Sequence, residues 1–375
     1  MSDIHITREL LRAVASGELS FRILNESAWR HLMKLCPTCS EEMAAFEKEQ
    51  AAPAAYDTFQ VLPLVLEKHA ADLETKTGAA RRDLLALLRL APDERLHRIR
   101  RASTRFRGVT LARMLLDAAK SHMPAEPHAV YELAEAAEAV LMRTPDIPGL
   151  YDLLARAVAY RGNAERATGD LAAAEDTLES ARGLIRNKGV TDPVVYAEVD
   201  WIEGALLKDQ RRFKEAEELL VRAVNLYGLA GTKEEVAPPL ITLGLLYYDR
   251  GDYRKAIEVT RAAAESMGQK ADPRLSLCIR HNLALFLAES GNYPAAAEIL
   301  HEDAELYQEF PDLWTKLRET WLKGKIAGKL GDLAEAERLL GAARNGFILQ
   351  NIGYDAAKVS IDLTRIYEQQ GKVGD

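Results

Sequence analysis

The residues with the plainest chemistry lie near the start of the chain. Cys36-Pro37-Thr38-Cys39 sets two thiols three positions apart, a spacing at which two thiolates share a metal ion or close as a redox pair. There are three cysteines in all, an odd number that points to a reducing compartment and away from a disulfide framework. No strand–helix–strand pattern surrounds the motif, which argues against a catalytic redox pair. Two readings stay open, a metal site and a pair of reduced thiols at a helix start. A second feature is a run of cations, Arg95, Arg98, Arg100, Arg101, Arg105 and Arg107, with no acid between Glu94 and Asp117. Such a face can meet phosphates or an acidic partner, or it can be a solvated face balanced by the acidic rest of the chain. Little aromatic interleaving argues against a stacking platform for single strands.

No catalytic constellation accompanies these groups. The sequence has no phosphate loop, no Gly-x-Ser-x-Gly, no His-Glu-x-x-His and no Gly-x-Gly-x-x-Gly behind a strand. His69, His97, His122, His128, His281 and His301 are scattered singly, as packed or surface histidines are. The expectation is a protein that is not an enzyme. At 375 residues, 48% hydrophobic and 28% charged, the chain can bury a large core, and a net charge of −8 argues against general nucleic-acid binding. No apolar run reaches the roughly 18 residues of a membrane span, and Met1 to His5 do not open a signal peptide. A cytoplasmic protein with no membrane partner is expected.

The elements that would position these groups are helices. Residues 1–50 read as a small helical unit and residues 51–108 as a helical, arginine-rich connector, in whose last helix, opened by Asp93 and Glu94, Leu96 and Ile99 alone would face a core. From 109 to 375 a helix-turn-helix pattern repeats. Gly162, Gly169, Ala174, Leu178 and Ala181 recur as Gly204, Phe213, Ala216, Leu220 and Ala223, then as Gly244, Gly251, Ala256 and Ala263, as Ala284, Gly291, Ala296 and Leu300, and as Gly324, Gly331, Ala336, Leu340 and Ala343. Small residues stand where two helices must touch, and leucines are expected in the seam to the next unit. This pattern resembles the tetratricopeptide repeat (TPR), with a period of about 40 in place of the usual 34 or so. The resemblance implies an all-α, TPR-like α-solenoid. The last repeat is incomplete: Tyr367 and Gly371 belong to a first helix, and Asp375 ends the chain before its partner. A truncated chain, or an end that meets a partner, is expected there.

The first 50 residues resemble the zinc-binding anti-sigma family of bacteria through His5, Gly17-Glu18-Leu19-Ser20, His31, Cys36 and Cys39. The resemblance implies one structural Zn2+ held by His5, His31, Cys36 and Cys39, since two thiolates and two imidazoles satisfy a tetrahedral ion. The family places its histidine four residues before the first cysteine, and here the spacing is five. One extra residue turns the pair apart by about 100° on a helix, so His31 either sits on a distorted turn or is not a ligand.

The TPR resemblance also implies a groove lined by the first helix of each unit. Its positions fall on Arg156, Asn163, Arg166, Trp201, Lys208, Ile241, Leu245, Tyr248, His281, Leu285, Arg318, Trp321 and Lys325. An apolar middle flanked by aromatic and cationic residues suits an extended or helical peptide of acidic character. The alternative is that the tryptophans pack between units. The family's two-asparagine carboxylate clamp is not reproduced, because Ala205 stands where a partner for Asn163 is needed. Together the two resemblances imply a cytoplasmic bacterial regulator or scaffold that binds a protein or peptide in its groove and a sigma factor through its N-terminal unit. The alternative is a scaffold, adaptor or substrate of another enzyme, such as a protease, with the N-terminal unit only a cap.

Overall fold

The computed structural model describes residues 75–123, 126–231, 233–268, 272–350 and 352–372. The expected unit 1–50 and the expected metal ligands His5, His31, Cys36 and Cys39 lie outside the described residues. The chain divides into two units, Met1–Leu85 and Ala86–Asp375. Of the first, residues 75–85 are described and are helical.

The second unit is built of helices among its described residues. It opens with α1 (Pro92–Arg101), followed by the hairpins α2/α3 (Val109–His122, Pro127–Leu141) and α4/α5 (Leu150–Thr168, Leu171–Asn187). Next come α6/α7 (Pro193–Asp209, Phe213–Leu229), a short 3-10 turn (Lys233–Val236) and α8/α9 (Ala237–Asp249, Tyr253–Ser266). The fourth repeat has α10 (Pro273–Glu289), then α11 (Tyr293–Glu302) and α12 (Ala304–Glu309). The hairpin α13/α14 (Leu313–Leu330, Leu333–Leu349) and the single helix α15 (Gly353–Gln369) complete the series. Each second helix packs on the first helix of the next repeat, so every hairpin buries a stripe it cannot bury alone. The architecture is an all-α, TPR-like solenoid.

The turns follow from local chemistry. Gly169, Gly251, Gly291 and Gly331 take the left-handed conformation, with φ between 78 and 93°, which ends the first helix at little steric cost. The next residue caps the second helix. Asp170, Asp252, Asn292 and Asp332 each accept the backbone N–H three positions on, at 3.1 to 3.3 Å. In the second repeat Arg211, with φ 64°, stands in place of the glycine, and Arg212 opens α7 without a side-chain cap. Asp272 and Asp312 cap α10 and α13 in the same way, and Asp192 caps α6 by accepting the N–H of Val194, two positions on.

The small residues do what their spacing predicts. A Cβ on Gly204 would stand 2.8 Å from Leu220 Cγ, one on Gly324 2.9 Å from Leu340 Cγ, and one on Gly162 3.0 Å from Leu178 Cγ. The leucines expected in the seam to the next unit thus close their own hairpins over a glycine. In the third repeat Thr260 takes the leucine's place against Gly244.

One expectation is corrected. Arg95, grouped with the exposed arginines, is 7% exposed. Its Nε and Nη2 donate to the carbonyls of Leu87 and Leu90 at 3.2 and 3.3 Å, and Glu132 lies 3.7 Å away. It therefore joins Ile99 in the core beneath α1. The fourth repeat also departs from the series. Asp303 occupies the place held by Ala181, Ala223, Ala263 and Ala343 elsewhere, and the second helix breaks there into α11 and α12. Arg280 compensates the buried Asp303 carboxylate.

Candidate functional site on the inner face

The first helices also pack on one another, α4 on α6, α6 on α8, α8 on α10, α10 on α13 and α13 on α15. That extra crowding puts them on the inner side of the coil, and the thirteen positions taken from the TPR resemblance all lie on them. Ile241 and His281 are buried and the other eleven are partly buried.

In the first two repeats the charged members of this set are engaged by the next repeat. Arg156 pairs with Glu198 at 2.5 Å, and the same carboxylate accepts from Tyr160 Oη at 2.8 Å. Lys120, from α2, lies 3.5 Å from Glu198 and also holds Glu235 in the 3-10 turn. Burial alone would push the Glu198 carboxyl up; the Arg156 guanidinium and the Lys120 ammonium outweigh it and hold it below the usual carboxylate range. Burial pushes the Tyr160 hydroxyl well up, so it stays a neutral donor. Arg166 donates to Asp209 at 2.6 Å and to Asn163 at 3.1 Å. Lys208 lies 2.5 Å from Asp209 and 3.7 Å from Asp249.

The two tryptophans play matching parts. Trp201 Nε1 donates to Thr242 Oγ1 at 3.0 Å, and Trp321 Nε1 donates to Asp362 Oδ2 at 2.8 Å. Each reaches 41 residues ahead, onto the next first helix. Lys325 binds Glu289 on one side and Asp362, at 3.1 Å, on the other. Burial would lower its ammonium, and the two carboxylates reverse that and raise it. The third residue in the tryptophan register, His281, is 6% exposed and shares a hydrogen bond with Tyr307 Oη at 2.8 Å. Burial first, and then Arg318, push the imidazole well below its ordinary pKa. It is therefore a neutral packed group, unsuited to meeting a ligand as a cation.

Between these seams the surface turns apolar. Tyr248 stacks on Phe286 with ring centroids 5.3 Å apart, and Ile241, Leu245 and Leu285 flank the pair within the same core. Lys358 Nζ, from α15, stands 5.5 Å from the centre of the Tyr248 ring, so the third and sixth first helices meet across the inner face. Arg318 lies at the far end, its guanidinium 4.7 Å from the Trp314 ring centroid and bonded to Asn282 Oδ1 at 3.1 Å.

Apart from Arg95, the arginines of the basic run are exposed. Arg98 and Arg100 lie 3.8 and 3.6 Å from Glu94 and Glu135, and Arg105 covers the Phe106 ring at 4.5 Å. Arg101 and Arg107 are exposed. Among the described residues no cluster of three His, Cys, Asp or Glu could hold a metal, and no helix is long and apolar enough to cross a membrane. Sequence reasoning missed the buried acids Glu198 and Asp200. Their signal was a carboxylate on an otherwise apolar stripe of α6.

Residues 194–345 match the sequence profile of the soluble NSF attachment protein (SNAP) family. Among solved structures, a Rap protein complexed with competence and sporulation factor aligns over 98% of this chain and 99% of its own, at TM-score 0.50 and 14% identity. The apo form of RapI aligns over 70% of this chain and 72% of its own, at 0.48 and 13%. A signal transduction ATPase (STAND) protein with a tetratricopeptide repeat sensor, from Pyrococcus horikoshii, aligns over 96% of this chain and 63% of its own, at 0.49 and 13%. No curated protein matches. At such identities the full-length likeness to the Rap protein is a likeness of fold, and it agrees with the TPR-like solenoid built above.

Proposed function

We propose that this chain is a non-enzymatic regulator or scaffold that binds an extended or helical segment of a partner protein along its inner face. One observation carries the reading. The polar seams of the first two repeats and of the fifth are internally paired, whereas Leu245, Tyr248 and Leu285, packed beside the buried Ile241, offer partly buried carbon and no charge pairs of their own. A surface of that kind gains from covering. The Rap protein of similar fold was solved complexed with competence and sporulation factor, which supports partner binding by a fold of this kind. In the same reading the N-terminal residues hold one zinc ion through His5, His31, Cys36 and Cys39 and contact a sigma factor in a bacterial cytoplasm.

The test is site-specific photo-crosslinking in the native host, with a photoreactive residue at Leu245 and a control at Arg261 on the outer helix α9. A crosslink from position 245 to one segment of one partner, absent from position 261, is the expected result. Equal crosslinking at both positions, or none at 245, overturns the proposal. Metal analysis of the purified chain and of its Cys36→Ser variant tests the zinc site separately. A well-folded chain that carries no zinc removes it.

A further inference from the structure

We infer that Arg318 is the anchor of the inner face and that it takes the carboxylate of an Asp or Glu side chain in an extended partner segment. The inference rests on the groove reading above and specifies its ligand. Four other cations on the inner face already have a carboxylate. Arg156 has Glu198, Arg166 and Lys208 share Asp209, and Lys325 has Glu289 and Asp362. Arg318 differs. Its guanidinium bonds the amide oxygen of Asn282, which is 1% exposed, and the Cys278 thiol, and it lies over the Trp314 ring. An amide and a ring fix the orientation of the guanidinium, and with no carboxylate at ion-pair distance among the described residues its planar fork suits an incoming one. The apolar stretch of Tyr248 and Leu285 runs up to this point from α8 and α10, and Lys358 adds a second cation over the Tyr248 ring.

One acid stands nearby. Asp355, on α15, lies within the field of Arg318 and Lys358, yet no ion pair joins it to Arg318 among the described residues. Burial pushes its carboxyl up in spite of both cations. A ligand carboxylate seated on Arg318 would be repelled by Asp355, so the two residues should act on binding in opposite directions.

The experiment selects from a random hexapeptide library with amidated C-termini on the full chain, then titrates the selected peptides by fluorescence anisotropy. The selected pool should be rich in Asp and Glu. Arg318→Gln should weaken its binding about 10- to 100-fold, as for loss of a charge-assisted hydrogen bond. Asp355→Asn should tighten it, and Arg338→Gln, on the outer helix α14, should leave it unchanged. A pool without acidic enrichment, or one indifferent to Arg318→Gln, overturns the anchor and leaves the groove standing. Selection of acid-free peptides only when the C-terminus is left free assigns Arg318 to a chain terminus and overturns the side-chain version. Failure to select any peptide overturns the groove reading and the anchor with it.

Discussion

Glycines in this solenoid should fall into two classes of opposite sign when changed to alanine. In a helix interior Gly→Ala is worth about 1 kcal/mol of stability through the backbone entropy it removes. At Gly341 and Gly183 a Cβ would have nothing within 4 Å, so that gain should appear whole. At Gly204 the new carbon would lie 2.8 Å from Leu220 Cγ, 3.0 Å from its Cδ2 and 3.3 Å from the Ala216 carbonyl oxygen. Leu220 is fully buried, and Cγ is the branch point of its side chain, so it cannot swing clear. Overpacking of this kind costs about 1–3 kcal/mol. Gly204→Ala should therefore be net destabilising by up to about 2 kcal/mol, and the two classes should differ by about 1–3 kcal/mol. Urea unfolding of the full chain, followed by circular dichroism, measures both. Leu220→Ala alone should cost about 2–5 kcal/mol, but on the Gly204→Ala background it should cost at least about 1 kcal/mol less, because the new methyl enters the void. If Gly204→Ala stabilises as much as Gly341→Ala, or the two changes at the contact add, close helix approach is not the reason for glycine at these positions.

Other outcomes follow from the buried charges. Asp200 is 1% exposed and bridges two repeats, held by Arg182 at 2.6 Å and by Arg222 through both oxygens; Asp200→Asn should cost on the order of 3 kcal/mol. Breaking the exposed pair Glu335–Arg338 by Glu335→Gln should cost far less, because solvent screens it, and the same denaturation experiment compares them. His281 is buried with its pKa depressed. The unfolded chain therefore takes up a proton from about pH 6.5 downward while the folded chain does not, so stability is full above that pH and falls by up to about 1.4 kcal/mol per unit below it. His281→Gln should flatten the profile between about pH 6.5 and 5, and an unchanged slope would show that the imidazole is solvated.

Much of the solenoid was legible because its rules are local and repeat. A left-handed glycine followed by Asp or Asn ends one helix and caps the next, and a small residue at a fixed offset lets the pair close. Spacing alone revealed both. What was not legible depends on partners distant in sequence. Arg95 reads as one more cation of a basic run, and only the carbonyls of Leu87 and Leu90 make it a core residue. Asp303 breaks α11 because an acid replaces an alanine, a substitution visible in the register but without meaning until Arg280 is seen beside it. The expected groove positions all fall on first helices, but spacing does not tell a side chain held by the next repeat, such as Trp201 on Thr242, from one left for a ligand. The pairing that singles out Arg318 required coordinates.

The contacts of Lys120 with Glu235 and of Lys358 with Tyr248 have a mechanical consequence. A coil whose turns touch only their immediate neighbours extends like a spring, each turn yielding independently. Here α2 is tied to the turn before α8, and α8 is tied to α15, so rungs that are not adjacent are lashed together. Opening the pitch releases these contacts, which add to the coil's resistance to stretching. A segment bound for the inner face must thread in from an end or wait for a lashing to part. Its association should then level off at high concentration, at the rate at which the coil opens.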